Sequence, residues 1–319
     1  MSKLAFVFPG QASQYAGMGK DLAENYDVAR ALFESADRAL GFSISRLCFE
    51  GPEDALKVTE NTQPAILAAS VAALLVLEEH GVVPGIVAGH SLGEYSALVA
   101  AGSLSFEDAI RLVQRRGRYM QDAVPTGEGS MAAIMGLAPA LVADICRRAA
   151  DGEVVSPANL NSPDQTVISG ATAAVKRAVE LASQNGAKRA VILSVSAPFH
   201  CAMMMPAQLR LEKDLQAVEF GPLRCPLVTN VDADTITDGA EARDALVLQV
   251  SLPVRWSDSI REILDAGATT FVEVGPGRVL SGILRQIDRS VHSLNVQDKA
   301  SLQNTLEKIN QSRSEMAEN

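Results

Sequence analysis

"PGIVAGHSLGEYSALVAAGSL", residues 84–104, decides the fold. It leaves a Pro-Gly turn, passes through a short apolar run, reaches Gly89-His90-Ser91-Leu92-Gly93, and continues with apolar positions at helical spacing. Strand, tight turn and helix with a serine at the tip is the context in which G-x-S-x-G acts as a nucleophile elbow. The motif alone also arises by chance, so the flanks carry the reading.

Working outward, "TQPAILAASVAALLVLEEHG" (62–81) is too apolar for a surface helix and stops at Gly81, as a buried core helix would. Upstream, "KLAFVF" (3–8) reads as a strand ended by Pro9-Gly10, and residues 19–40 carry helical periodicity. Downstream, the order is strand "MAAIMGL", helix "APALVADICRRAA", strands "EVVSPANL" and "QTVISG", helix "ATAAVKRAVELASQNG" and strand "KRAVILSVS". That βαββαβ order is the ferredoxin-like arrangement. It predicts a small subdomain over 128–196, inserted into a discontinuous larger one made of 1–127 and 197–319. The chain then resumes with a Met-rich helix, "PLVTNV", a helix over 239–250, "TTFVEVGPG" as strand and turn, the strand "VHSLNV" and a polar tail (311–319) expected to fray.

Composition bounds the function. The chain has 319 residues, 47% hydrophobic and 21% charged, enough for a sizeable core. A net charge of -10 disfavours nucleic acid as a partner. No apolar run is expected to approach the roughly 20 residues of a membrane span, and no signal peptide is read at the start, so a cytoplasmic location is expected. Cys48, Cys146, Cys201 and Cys225 are scattered without metal-ligand spacing, so they are expected to be thiols, most of them buried, and no metal site is expected.

A serine hydroxyl needs a general base. Of four histidines, His80 sits at a helix end, His90 is expected to pack beside the elbow, and His292 lies in a short strand. His200, in "SAPFHCAMM" at the seam between the subdomains, is the favoured base. No carboxylate stands out to orient it, so another acceptor is required. Backbone NH groups are needed to hold a developing oxyanion, and Leu92, just after the serine, and Gln11, in "FPGQASQ", are the candidates. Arg111, Arg115, Arg116 and Arg118 follow the elbow; such a cluster is usually a solvated face, but one turned inward would hold a substrate carboxylate.

Eight blocks in order, "FPGQASQ", "NTQPAI", "GHSLGE", "QRRGRYMQ", "NLNSPDQTVISG", "SAPFHCAMM", "LQVSLPVRW" and "EVGPG", resemble the malonyl-CoA:acyl-carrier-protein transacylase family from about residue 4 to residue 290. The resemblance implies an α/β fold with an α/β-hydrolase-like large subdomain and an inserted ferredoxin-like one. It implies ping-pong transfer of malonyl from coenzyme A through Ser91 to the phosphopantetheine thiol of acyl carrier protein, with no cofactor. His200 matches the base, Gln249 the residue whose main-chain carbonyl takes the histidine NH, Arg116 the malonyl anchor, and Gln11 and Leu92 the oxyanion donors. Phe199 and Leu92 match the malonyl-selective pattern, a bulky ring crowding an added methyl. The family loop often reads PGQGSQ; Ala12 here is absorbed only if its position does not need positive φ.

Asn159 and Asn161 are candidates for contacting the pantetheine arm or for capping a turn. An acidic carrier protein docking on an acidic chain needs a basic rim, for which Lys188, Arg189, Arg278 and Arg285 are candidates. A monomer is expected. The competing readings are a thioesterase of the same fold, an acyltransferase serving polyketide synthesis, and a noncatalytic carrier-binding module.

Overall fold

The computed structural model describes residues 3–317. Among the described residues ten strands appear in chain order: β1 (Lys3–Phe8), β2 (Ile86–Gly89), β3 (Gly129–Met135), β4 (Val155–Ser162), β5 (Gln165–Ala171), β6 (Arg189–Ile192), β7 (Leu227–Val228), β8 (Thr235–Ile236), β9 (Ala268–Val274) and β10 (His292–Val296). They form two sheets, one of order β10-β9-β1-β2-β7-β8 and one of order β4-β5-β3-β6.

In the larger sheet every neighbouring pair is parallel except β7 with β8. Such a sheet is covered by helices on its faces, which suits the near-continuous apolar character of β1 and β2. Its register places the functional loops. Phe8 pairs with Gly89 and Val7 with Glu273, so the segments after β1, β2 and β9 all leave at the carboxyl edge. Ligands of open α/β sheets bind in that region.

The smaller sheet is antiparallel throughout. The order follows from βαββαβ connectivity, in which each crossover helix returns the chain with room for one strand between. Helices Pro139–Ala149 and Thr172–Gln184 pack on it around Ala132, Ile134, Ile145, Val175 and Ala178. Its strands run from Gly129 to Ile192. Strand β4 is tied to the larger unit by Leu160 NH to the Val254 carbonyl (2.9 Å) and Val254 NH to the Ala158 carbonyl (2.8 Å).

Three local expectations are corrected. Residues 19–40 form two helices, Lys20–Asn25 and Asp27–Leu40, because Tyr26 is extended between them. The helix Thr59–Glu79 is, by length and hydropathy, long enough to cross a bilayer, contrary to the expectation that no run approaches that length. It is instead enclosed by protein, with residues on every side of it buried. The polar tail is helical, as part of Lys299–Ala317; residues 318–319 lie outside the described residues.

Cys48, Cys146 and Cys201 are buried free thiols and Cys225 is half-buried. His80 ends its helix, with Nδ1 2.8 Å from the Val76 carbonyl, and His292 begins β10 on the surface.

Candidate active site

The elbow is built by close packing. A Cβ on Gly89 would lie 1.9 Å from the Gly93 carbonyl, and one on Gly93 would lie 2.2 Å from the Phe8 oxygen. No side chain fits where the end of β2, the start of helix Gly93–Ala100 and the end of β1 cross. Ser91 is thereby forced to φ 54°, and His200 sits at φ 58°. Both are non-glycine residues in the left-handed region, where strain concentrates at functional sites.

Ser91 Oγ is 2.7 Å from His200 Nε2. His200 Nδ1 donates to the Gln249 main-chain carbonyl at 2.8 Å, which fixes the tautomer and leaves Nε2 as acceptor for the serine hydroxyl. Burial first, and then the Arg116 charge, push the His200 pKa down to about 3, so the ring is a neutral acceptor at pH 7. The NH of Ser91 donates to Asn230 Oδ1 at 2.7 Å, while Asn230 Nδ2 donates to the Gly89 carbonyl at 2.7 Å. Among the described residues, the NH groups of Gln11 and Leu92 have no protein acceptor, and both residues line the cavity that contains Ser91.

Arg116 is the inward arginine. Helix Phe106–Asp122 buries Ala109, Leu112, Val113, Arg116, Gly117 and Met120 on one face. Arg111, Arg115 and Arg118 lie outside that face, against Asp108, Asp214 and the Tyr119 ring respectively. Arg116 is 1% exposed; Nη1 donates to Gln63 Oε1 (2.8 Å), and Nη2 donates to Gln249 Oε1 (2.9 Å) and Ser91 Oγ (3.1 Å). Among the described residues its buried Nε has no acceptor. A desolvated guanidinium with an unused donor beside a serine is arranged for an anion.

The cavity holds about 460 Å³ and is lined by Gln11, Ser91 and Arg116 together with residues of β4, β5 and the segment before His200. Phe199, Asn159 and Asn161 all line it and are buried. His90 packs as expected: Nε2 donates to Asn161 Oδ1 (2.9 Å), the ring meets Trp256 edge-on, and burial lowers its pKa. Of the four basic rim candidates, Arg278 lines this cavity. Lys188 and Arg189 are exposed at the start of β6 and do not reach it, and Arg285 lines a separate hollow with Arg289 and His292. Ala12 has φ 83°, so its position does require the positive φ that makes a methyl costly there.

Residues 5–315 match the family model of the acyl transferase domain. The chain belongs to the acyl transferase domain family. This acyl transferase domain is 47% identical over 304 residues to the malonyl CoA-acyl carrier protein transacylase of Bacillus subtilis (strain 168), covering 95% of this chain and 96% of that one. It superposes on the malonyl CoA-acyl carrier protein transacylase from Clostridium perfringens with a TM-score of 0.96 and 40% identity, over 100% of both chains. A second similar structure is a malonyl-transacylase in complex with a type II PKS acyl-carrier protein, at TM-score 0.94 and 46% identity, covering 96% of this chain and 100% of that one.

Three residues without a role in the sequence reading belong to the acyl transferase domain's site. Gln63 holds Arg116. Asn230 fixes the elbow. Glu94, 1% exposed, accepts from Gln249 Nε2 (2.7 Å) and Asn230 NH (3.1 Å). Burial pushes the Glu94 carboxyl up to about 7, against the pull of those hydrogen bonds and the Arg116 charge. Gln63 and Glu94 sit inside the blocks "NTQPAI" and "GHSLGE", which is the signal that could have found them.

Proposed function

We propose that this acyl transferase domain moves a malonyl group from coenzyme A to the phosphopantetheine thiol of an acyl carrier protein, through malonyl-Ser91. The observation that carries the reading is the line from Ser91 Oγ through His200 to the Gln249 carbonyl, beside a buried arginine with an unused donor.

In the first half-reaction His200 Nε2 takes the Ser91 proton as Oγ attacks the thioester carbonyl. The NH groups of Gln11 and Leu92 receive the oxyanion. Collapse breaks the carbon–sulfur bond, and the departing thiolate takes the proton from His200. In the second half-reaction His200 deprotonates the carrier thiol, which attacks the malonyl ester and releases Ser91 with its proton restored. The Gln249 carbonyl orients the ring without a formal charge, which suits a base that must shed its proton quickly in both halves. Arg116 pairs with the malonyl carboxylate, Phe199 crowds a methyl on the acyl α-carbon, and Asn159 and Asn161 face the pantetheine arm. Arg278, at the cavity, is the basic residue placed to meet an acidic carrier, while Lys188, Arg189 and Arg285 lie apart from it.

Action as a monomer, with no cofactor beyond the thioester substrate, is part of this proposal. We place the activity in the cytoplasm, in fatty acid synthesis. The test incubates the protein with malonyl-CoA and carrier protein and follows the intact mass of both proteins. Malonylation of Ser91 followed by malonyl-carrier formation is expected; hydrolysis of malonyl-Ser91 at the same rate with and without carrier would replace the transferase by a thioesterase. Unlabelled Ser91 would leave only carrier binding.

A further inference from the structure

Arg116 and Glu94 are both buried, and among the described residues neither is in a direct ion pair. The Gln249 amide stands between them, accepting from Arg116 Nη2 through Oε1 (2.9 Å) and donating to Glu94 Oε2 through Nε2 (2.7 Å). The amide's orientation is fixed by the guanidinium, which can only donate, on one side, and by the Ser91 carbonyl and an acceptor oxygen of Glu94 on the other. The same Nε2 donates to the Ser91 carbonyl at 2.9 Å, and the same residue's main-chain oxygen receives His200.

The spacing has a chemical reason. An uncompensated guanidinium is costly in a dry cavity. A carboxylate in direct contact would compensate it but would occupy its paired donors and repel a second carboxylate. A carboxyl one amide away holds the amide against the guanidinium through hydrogen bonds whether or not it is ionised, and among the described residues Nε stays without an acceptor.

We propose that Glu94 is a positioning residue for acyl selection: through the Gln249 amide it orients Arg116 while staying clear of it, leaving guanidinium donors for the substrate's carboxylate. The inference rests on the malonyl reading above and extends it to a residue that touches no substrate.

The decisive variant exchanges the two side chains, Glu94→Gln with Gln249→Glu. It keeps volume, net charge and the main-chain oxygen that holds His200, but sets a carboxylate directly on Arg116. The assay compares kcat/KM for malonyl-CoA and acetyl-CoA, with thermal unfolding as a folding control. The exchange is expected to lower the malonyl-to-acetyl ratio by about 100-fold. Glu94→Met, which removes the acceptor, is expected to lower it by about 10-fold, and Glu94→Gln, which restores an acceptor oxygen, to recover it to within about threefold. A folded exchange variant or a folded Glu94→Met that keeps the wild-type ratio overturns the proposal. Wild-type protein with no preference for malonyl would instead overturn the reading on which it rests.

Discussion

Replacing Arg116 by alanine isolates the interaction that distinguishes malonyl from acetyl. The guanidinium is buried, so its pairing with a carboxylate is little screened by solvent. Charge-assisted hydrogen bonds contribute about 1.5–3 kcal/mol each, and truncating one partner of a buried charge pair costs about 2–5 kcal/mol. Taking about 3–4 kcal/mol, malonyl kcat/KM is expected to fall by about 10²–10³-fold. An acetyl group has no carboxylate to lose. For it, the change removes the hydrogen bond from Nη2 to Ser91 Oγ, worth about 1 kcal/mol or about fivefold. The ratio should therefore drop by about 20–200-fold. Coenzyme A release from each thioester at saturating carrier protein measures it. Gln63 and Gln249 each lose a donor in this variant, so its unfolding temperature must be recorded to separate folding from binding. Equal losses for malonyl and acetyl transfer, in folded protein, would remove Arg116 from acyl selection.

Burial and the Arg116 charge hold the His200 pKa near 3, so the acid limb of kcat/KM is expected below about pH 5, and Arg116→Ala should move it upward; a limb at the ordinary histidine value of about 6.5 would refute the buried-base description. Because the folded pKa is depressed, the stability His200 contributes is present above about pH 6.5 and is lost as the pH falls toward about 3; His200→Gln should flatten that decline in urea titrations. Ala12→Gly relieves a left-handed alanine costing about 1–2 kcal/mol against about 0.5–1 kcal/mol of added chain entropy, so a small gain in denaturation midpoint is expected, and a clear loss would contradict the loop geometry. Gly93→Ala forces a Cβ to within 2.2 Å of the Phe8 oxygen and should cost about 3 kcal/mol together with the activity, read from the unfolding midpoint and from acylation of Ser91.

By itself the sequence determined what depends on neighbours along the chain. The elbow was legible because its two glycines, four residues apart, encode the crossing of strand and helix, and the small subdomain because its periodicities alternate in a recognised order. His200 was legible as the one histidine at the seam. Among the four arginines the composition left the choice open until the resemblance selected Arg116, although Arg116 shares its helical phase with Ala109, Leu112, Val113 and Met120. Tertiary structure decided the rest. Thr59–Glu79 has the composition of a membrane span, and only the elements packed around it make it a core helix. The requirement for positive φ at Ala12 appears only once the loop is folded against the elbow. Glu94, Asn230 and the side-chain amide of Gln249 acquire their roles through hydrogen bonds that join residues 155 and 139 positions apart. No local pattern specifies such partners, because an amide's orientation is set by the donors and acceptors that folding brings to either side of it.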